Sequence, residues 1–531
     1  MPQDVTPRVC VEDNQRGPRP IDGVPTSIAA FLGDAERGTT TPRLITSYTE
    51  YKHWFGDIFG SRDRYLPYAA NAFFENGGRQ LYVCRLTRAS SVRASLDLGS
   101  YILKATGGGV WGNRIYATFA ASETQRPHSN DPTKSLPLVF SVRLAYWSDN
   151  IEGQIPYDPF SGDSAESPNN AARATLIEIF EDLVTEPTSA DYWGIRLNGN
   201  SALAEVELKT TGKATDLPSF NTGLFTGGSD GQGSIDFSDY QGDTSGNPPR
   251  DEPQGLAALD LGRYRDVSLV YAPSPPDSRR VTLEIIRHCE EKRFRFAVVD
   301  PDSGTDDTSK LDPRILFTDT QYAAFYFPWV YIPDPQNGTT KLVPPGGYAL
   351  GVMARTDSQR GVFKAPANEI VQDIVGLEFK VSADKQGLLH QQGCNVIRDF
   401  PSGGIRVWGA RTMSADPIWK YISVRRFLIF LERSIYEGTQ WVVFEPNNDK
   451  LWDRVKDSIR LFLRTLWRDG ALFGRTEEEA FFVSCDLTTM TQADILNGQL
   501  ICEIGVAVVQ PAEFIIFRIF QATAESGIGK E

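Results

Sequence analysis

The sequence lacks the residue patterns that most metal sites and membrane segments require. Its six cysteines are far apart, with no C-x-x-C pair, so it predicts neither a zinc site nor a disulfide framework. No run of about 18 apolar residues occurs, and no basic start precedes an apolar stretch at the N-terminus. We therefore expect synthesis in a reducing cytosol, no membrane insertion and no signal peptide. If the protein acts outside the cell, it is expected to leave by lysis or inside a larger particle.

Positive charge is also in short supply. The 531 residues include 54 basic and 68 acidic side chains, and the net charge is -14. Such a surface repels nucleic-acid phosphates and anionic lipids, so we expect no direct contact with nucleic acid. The length predicts roughly three or four domains, with enough chain for a large core.

Motifs for enzyme chemistry are weak or missing. Residues 107–112 formally match the dinucleotide pattern G-x-G-x-x-G, but a strand-like stretch follows where that fold needs a helix. There is no phosphate-binding loop and no G-x-S-x-G elbow. His288 and Cys289 are neighbours on a predicted helix and point about 100° apart, so a helix residue and a buried thiol are favoured over a catalytic pair.

Two acidic clusters allow either a divalent cation or solvated charge. The first, which comprises Asp300, Asp302, Asp306 and Asp307, lacks the glycine and closing glutamate of a calcium loop. The second, the three glutamates at 477–479, is predicted to lie at a helix N-terminus, where negative charge is stabilised. The sequence favours solvated charge for both, and we predict no metal and no cofactor.

Alternating strand and helix patterns predict an α/β fold with a parallel sheet. A strand at 267–272 is followed by a helix at Ser278–Lys292 and by strands at 294–299 and 323–332. Residues 27–86 look incomplete alone, and we expect them to join this sheet. Between these parts, from about 100 to 235, short β-type runs separated by turn residues predict an inserted, mostly β domain.

Both chain ends are predicted to be extended arms. The N-terminal arm has the β-prone residues Val5, Val9 and Val11. The C-terminal arm has apolar residues on both strand faces, namely Phe514, Ile515, Ile516, Phe517, Ile519 and Phe520. Strand addition between subunits is one interpretation, and a last strand of the chain's own sheet is the other. Flexible joints of these arms are predicted at Gly17, Pro18, Pro20 and Gly505.

A predicted helix at 450–468 has a row of four basic residues on one face. Lys456, Arg460, Arg464 and Arg468 follow one another at intervals of four, and like charges so placed repel. On a chain of negative net charge, this row suggests an acidic partner. Alternatively, Asp453 and Asp457 neutralise it within a solvated helix, and the sequence leaves both interpretations open.

Several stretches resemble the tail sheath family of contractile phages and related injection systems. The resemblance lies, strongest first, in residues 344–369, 395–432, 439–449, 451–452, 470–474 and 511–514, and upstream in 19–27, 31–33 and 109–113. The opening departs from the family pattern. Residues 7–13 read Pro-Arg-Val-Cys-Val-Glu-Asp, where sheaths commonly show Pro-Gly-Val-Tyr-Val-Glu-Glu.

The resemblance implies a structural subunit rather than an enzyme. Such a subunit polymerises helically around an inner tube and contracts to drive the tube through a target envelope. The implied partners are further copies of the chain, the inner tube protein, and baseplate and tail-terminator or cap proteins. Assembly is expected in the bacterial cytoplasm, as part of a phage tail or phage-like particle, and the basic helix is interpreted as facing the tube.

The fold class expected from the patterns and the resemblance together is α/β (α+β overall) and multidomain, with a subtilisin-like topology for the α/β domain. The expected parts are an N-terminal arm at 1–25, an α/β middle domain at 26–100 and 236–365, an inserted mostly β outer domain at 101–235, an α+β C-terminal core domain at 366–510 and a C-terminal arm at 511–531. A hydrolase using the α/β domain is the alternative function, and a non-contractile structural protein is a third.

Overall fold

The computed structural model describes residues 19–58, 64–128, 131–148, 160, 174–242, 254–334, 338–401 and 403–513. Over these residues the fold is mixed α/β with several separate sheets. The chain divides into two compact units. The large unit comprises Gly23–Val362 and Pro366–Arg433, and the described part of the small unit comprises 19–22, Phe363–Ala365 and 434–513.

The strands, in chain order, are β1 (Ala29–Gly33), β2 (Arg43–Ile45), β3 (Leu81–Arg85), β4 (Ser95–Leu98), β5 (Tyr101–Ala105), β6 (Ile115–Ala121), β7 (Gln125–His128), β8 (Asp131–Pro137), β9 (Phe140–Tyr146), β10 (Leu176–Leu183), β11 (Ala204–Leu208), β12 (Gly223–Leu224), β13 (Leu269–Tyr271), β14 (Phe296–Val299), β15 (Ala323–Phe327), β16 (Val330–Pro333), β17 (Thr340–Val343), β18 (Glu369–Ile370), β19 (Gly376–Leu377), β20 (Cys394–Phe400), β21 (Gly404–Trp408), β22 (Phe481–Ser484) and β23 (Glu503–Val506).

The α-helices are α1 (Tyr48–Phe55), α2 (Leu66–Glu75), α3 (Trp193–Leu197), α4 (Phe237–Gln241), α5 (Gly255–Leu259), α6 (Ser278–Lys292), α7 (Pro313–Leu316), α8 (Gly346–Arg360), α9 (Ala383–Gln391), α10 (Ile422–Gly438), α11 (Asp449–Arg468), α12 (Glu477–Ala480) and α13 (Gln492–Leu496). Short 3-10 helices lie at Val110–Arg114, Gly262–Tyr264, Thr308–Lys310 and Gln440–Val442. No described helix is both long and apolar enough to cross a lipid bilayer.

A nine-stranded sheet organises the large unit, in the order β18-β21-β20-β15-β14-β13-β1-β3-β2. The six strands from β20 to β3 run parallel, and the remaining strands are antiparallel to their neighbours. Every residue of β1, β14 and β15 is buried, as expected for strands covered on both faces. Ala29 pairs with both Leu269 and Leu81, which confirms that residues 27–86 join the later sheet.

One predicted strand proves to be two. The apolar stretch at 323–332 forms β15 in the nine-stranded sheet and β16 in a separate sheet with β17 and β19. Pro328 lies between them, and a proline has no N–H to donate to a ladder. The single strand predicted from the apolar run was therefore wrong.

The predicted boundary between residues 365 and 366 stays a prediction, and the fold gives a reason to revise it. Strands β18, β20 and β21 lie after that boundary, yet all three belong to the nine-stranded sheet. The chain through Arg433 is part of the large unit. A boundary later in the chain describes this packing better.

Strands β4 to β12 lie in smaller sheets between β3 and β13, where the chain leaves the large sheet and returns to it. Buried Arg85 ties the two regions together, because its guanidinium donates to the carbonyls of Ala35, Gly38 and Gly108 at 3.2, 2.9 and 3.1 Å. A β-carbon on Gly107 would lie 2.0 Å from the carbonyl oxygen of Gly38. The glycine run at 107–112 therefore packs the junction between the nine-stranded sheet and the inserted strands, and β6 follows it where a nucleotide fold needs a helix.

Helices α2 and α8 lie against each other without room for larger side chains. A β-carbon on Gly347 would lie 2.8 Å from the Cα of Ala69, and one on Gly351 would lie 2.7 Å from the carbonyl oxygen of Phe73. Both glycines belong to the stretch 344–369 that resembles the sheath family. The close helix approach explains in physical terms why glycine is needed there.

We predict that Gly351→Ala destabilises the large unit by about 1–3 kcal/mol, because the added methyl group meets backbone atoms of α2. Gly387→Ala is the matched control. Gly387 also lies in a helix, but a β-carbon there has nothing within 4 Å. The control should be neutral or more stable by up to about 1 kcal/mol. Urea unfolding measures both variants, and equal midpoints would contradict the close-packing account.

Candidate assembly surfaces

Three of the stretches that resemble the sheath family meet at a buried ion pair in the large unit. Arg426 in α10 and Asp357 in α8 have side chains that are each only 4% exposed, and Arg426 Nη1 donates to Asp357 Oδ1 at 3.0 Å. The hydroxyl of Thr26 donates to Asp357 Oδ2 at 2.7 Å, and Arg426 Nη2 donates to the Thr26 carbonyl at 2.9 Å. Buried charges need this full set of partners. The network fixes the chain just after the predicted N-terminal arm.

Both side chains of the candidate catalytic pair, His288 and Cys289, are buried in α6. The Arg295 guanidinium contacts His288 Nε2 at 2.5 Å. Burial, together with the charge of Arg295, lowers the pKa of His288 to about 3, so the ring is neutral near pH 7. Burial raises the pKa of Cys289 to about 12, so its thiol is not ionised. The prediction of a helix residue and a buried thiol is confirmed.

The acidic residues between 300 and 307 contact separate partners. Asp300 is buried against the Tyr271 hydroxyl, and burial raises the pKa of its carboxyl to about 7. Asp302 accepts a hydrogen bond from Ser278, Asp306 pairs with Lys385, and Asp307 caps a short helix through Ser309. Among the described residues, no cluster of three His, Cys, Asp or Glu side chains is arranged to hold a metal ion.

In the small unit, α11 is the helix predicted at 450–468. Its first turn is capped by Asn448, whose side chain accepts from the Leu451 amide at 3.2 Å. One face is buried and consists of Leu451, Trp452, Val455, Ile459, Phe462 and Leu463. These residues recur at intervals of three and four, as expected of a helix with one buried face.

The basic row on α11 is largely paired within the chain. Lys456 Nζ lies 3.0 Å from Asp453 Oδ1, Arg464 Nε donates to Glu477 Oε2 at 2.7 Å, and Arg460 pairs with the same carboxylate. Arg468 is exposed and makes no ion pair with any described residue. Asp453 pairs with Lys456, as the second interpretation predicted, whereas the pairing of Glu477 with the two arginines was not predicted.

Glu477 begins the short helix α12, as the prediction for residues 477–479 required, with Thr476 as its N-terminal cap. Its second role is to join α12 to α11 through the two arginines. Hydrogen bonding to Arg464, with a further contribution from Arg460, lowers the pKa of Glu477.

We predict that Glu477→Gln lowers the stability of the small unit near pH 7 by about 0.2–1 kcal/mol. A carboxyl whose pKa is lowered by folding stabilises the fold above its unfolded pKa, and that contribution is lost as the pH falls through the folded pKa. The difference in stability between Glu477→Gln and the native protein should therefore disappear at acidic pH. Urea unfolding at both pH values tests this, with Glu478→Gln as the control for lost charge. A difference that persists in acid would contradict the assignment.

Strands β22 and β23 form an antiparallel two-stranded sheet in the small unit, with Phe481 opposite Val506 and Ser484 opposite Glu503. The Ala507 amide donates to the Ala480 carbonyl at 2.8 Å, which sets the alternation of the ladder. By that alternation, the N–H and C=O groups of Val483 and Ile504 point away from the partner strand. Among the described residues, neither β22 nor β23 belongs to a larger sheet.

Gly505 does not fit the predicted role of a hinge. It lies inside β23, paired with Phe482, and a β-carbon there would lie 2.1 Å from the Phe482 ring. A residue held in a ladder is not a flexible joint, so the prediction is corrected: Gly505 makes room for the ring. The Phe482 side chain is nevertheless 57% exposed.

Most predicted arm residues lie outside the described residues: Val5, Val9, Val11, Gly17 and Pro18 at one end, and Phe514, Ile515, Ile516, Phe517, Ile519 and Phe520 at the other. Pro20 is described and exposed, and both of its neighbours contact the small unit. The Arg19 guanidinium lies 4.9 Å from the Trp441 ring centroid, and the buried side chain of Ile21 fills the space beside Gly438. The chain is thus held on both sides of Pro20, and the hinge there stays a prediction.

Comparison with known proteins identifies the family. The model of the phage tail sheath protein central domain matches residues 251–413, and that of the phage tail sheath C-terminal domain matches residues 414–522. A prophage major tail sheath protein of Pseudomonas aeruginosa is 26% identical over 284 residues, which are 50% of this chain and 69% of that protein.

Two solved structures are similar over nearly the whole chain. The sheath complex of the extracellular contractile injection system PVC, in its contracted state, has a TM-score of 0.57 and 21% identity, and covers 98% of this chain and 99% of its own. The helical sheath of the anti-feeding prophage, also contracted, has the same TM-score and identity, with 98% and 100% covered. At this identity the similarity establishes a shared fold.

The two matched domains together span just over half of the 531 residues. The chain therefore belongs to the phage tail sheath family. The resemblance found in the sequence is confirmed, and the alternative function, a hydrolase, finds no support.

Proposed function

We propose that this protein is the repeating subunit of a contractile tail sheath, which polymerises helically around an inner tube and contracts to drive the tube through a target envelope. The observation that carries the proposal is membership of the sheath family, together with a fold shared over 98% of the chain with contracted sheaths. The role is structural and uses no cofactor. The other partners are the baseplate and a terminator or cap protein.

Assembly rests on strand addition between copies. In this proposal, the predicted N-terminal and C-terminal arms add to the sheet of β22 and β23 in neighbouring subunits. The open edges at Val483 and Ile504 support it, because their backbone groups can each receive a further strand. A contact that repeats from head to tail does not close on itself, so one kind of subunit builds an open helix.

We predict that Val483→Pro or Ile504→Pro abolishes polymer formation, because proline removes an outward N–H without breaking a bond between β22 and β23. Val483→Ala and Ile504→Ala are matched controls that shorten the same side chains and keep the N–H, and these should polymerise. Electron microscopy gives the polymer yield, and circular dichroism checks the fold. Native polymer yield from both proline variants would contradict strand addition at this sheet.

The exposed face of α11 is proposed to contact the inner tube. Arg460 and Arg464 share one carboxylate, so the three groups keep a net positive charge, and Arg468 adds a further exposed cation. Charge contacts of this kind are weak at physiological ionic strength, which suits an interface that must release during contraction.

Arg468→Glu tests this contact more cleanly than reversal of Arg460 or Arg464, which would also break their pairing with Glu477. We predict fewer extended sheaths on tubes at low salt, a deficit relative to the native protein that narrows at higher salt as the charges are screened, and normal folding of the subunit. Arg263→Glu carries the same charge change on an exposed residue of the large unit and should assemble normally. Equal sheath yields for the two variants would refute a tube-facing α11.

The large unit is proposed to be the body that rotates during contraction, with the subtilisin-like topology and the inserted outer domain expected from the sequence. Six parallel central strands support this topology. No protease activity follows from it, because fold alone carries no chemistry. The particle assembles in the bacterial cytoplasm, and lysis releases it.

A further inference from the structure

Two cysteines face each other at the end of the small sheet. The ladder of β22 and β23 ends with Ser484 opposite Glu503, and Cys485 and Cys502 are the first residues beyond that end of the two strands. Continuing the alternation set by the Ala507 amide, this pair falls at a non-hydrogen-bonded position. Opposed residues there have Cα atoms about 4.5 Å apart and the closer side chains. A disulfide requires about 4.4–6.8 Å.

The two side chains are neighbours, since a hydrogen bond with Cys502 acts on the Cys485 thiol. That bond lowers the pKa of Cys485, and the charge of Lys456 acts in the same direction. Cys485 is buried, whereas Cys502 is partly exposed, so one member of the pair can meet a small reagent. The other described cysteines, Cys84, Cys289 and Cys394, are buried in the large unit.

We propose that Cys485 and Cys502 form a redox site, which a small-molecule disulfide such as oxidised glutathione converts to an intrachain disulfide. The bond would be absent in a reducing cytosol and would form after the protein leaves the cell. The sequence alone does not show that these two cysteines are close, because the whole β22–β23 connection separates them. The register of the strands brings them together.

The reaction consists of two thiol–disulfide exchanges. One protein thiolate attacks a sulfur of the reagent, forms a mixed disulfide and releases one glutathione as its thiolate. The second protein thiolate attacks the protein sulfur of that mixed disulfide and releases the other glutathione. The two leaving thiolates take up the two protons lost by the cysteines. The protein is oxidised by two electrons, and oxidised glutathione is reduced to two thiols.

The bond would close the connection that contains α13 and the exposed side chains of Leu487 and Leu496. Closing a loop restricts its open conformations, so the connection should be cut more slowly by proteases. The same bond would hold together the ends of β22 and β23. Its effect on sheath assembly rests on the function proposed above, whereas formation of the disulfide does not.

The test treats the full chain with oxidised glutathione. The chain carries Cys10→Ser, since Cys10 lies outside the described residues. We expect the intact mass to fall by two hydrogen atoms and to recover on reduction. Cleavage at Asp486 and Asp494 separates the two cysteines, so a linked peptide pair in an unreduced digest identifies the bond. A stable glutathione adduct on Cys502, or two unmodified thiols, would overturn the proposal.

Cys485→Ser and Cys502→Ser should each abolish the link, while Cys289→Ser in the same background should leave it intact. Two separate serine variants keep the test valid if one of them folds poorly. Limited proteolysis then compares oxidised and reduced protein, with cleavage between residues 486 and 501 expected to slow at least about tenfold. Polymer yield is scored separately by electron microscopy, so failure of the disulfide is distinguishable from failure of the sheath function.

Discussion

The proposed assembly depends on the backbone N–H and C=O groups of β22 and β23 that point away from the partner strand. A strand edge presents N–H and C=O groups that pair with any suitable chain. A sheet of only two strands is also marginal alone, and this one packs against α11 and α12. Further strands would stabilise the sheet and would also pair with the backbone N–H and C=O groups at its edges. In a protein that must form a polymer, an edge that would otherwise favour aggregation becomes the means of specific association.

The large unit has the opposite character, because its parts are fixed to one another. Helices α2 and α8 touch through glycines, Arg85 ties the nine-stranded sheet to the inserted strands, and the Arg426–Asp357 pair holds the segment that follows the N-terminal arm. Close-packed interiors transmit displacement and resist deformation. A rigid body joined to its neighbours by extended strands can rotate while the chain connections persist. A rigid large unit, together with extended strands between subunits, suits a lattice that changes between two geometries.

Local patterns in the sequence predicted the elements well. The helix Ser278–Lys292 has the predicted bounds, and α11 begins within one residue of the prediction and ends at the predicted residue, because periodicity within one element reports helix formation directly. The parallel sheet was also predicted, since strand, helix and strand in succession leave few arrangements.

Contacts between distant parts of the chain were not predictable in the same way. Glu477 was placed at a helix start, but nothing nearby in the sequence showed that it would join Arg460 and Arg464. Asp357 and Arg426 lie in two recognisable stretches, yet only the packing of α8 against α10 makes them partners. Gly505 was interpreted as a flexible joint, but a glycine can also make room for a neighbouring side chain. Which of the two applies depends on the residue opposite it in the ladder. Burial and pairing between distant residues decide the roles of these side chains, and neither can be read from a single sequence.

The most direct test of the central claim is a cryo-EM reconstruction of the polymer at a resolution that separates strands. We expect the sheet of β22 and β23 to gain strands from adjacent copies, traced to their N-terminal and C-terminal arms. A sheet that keeps two strands, or that is completed only by the chain's own termini, would contradict it.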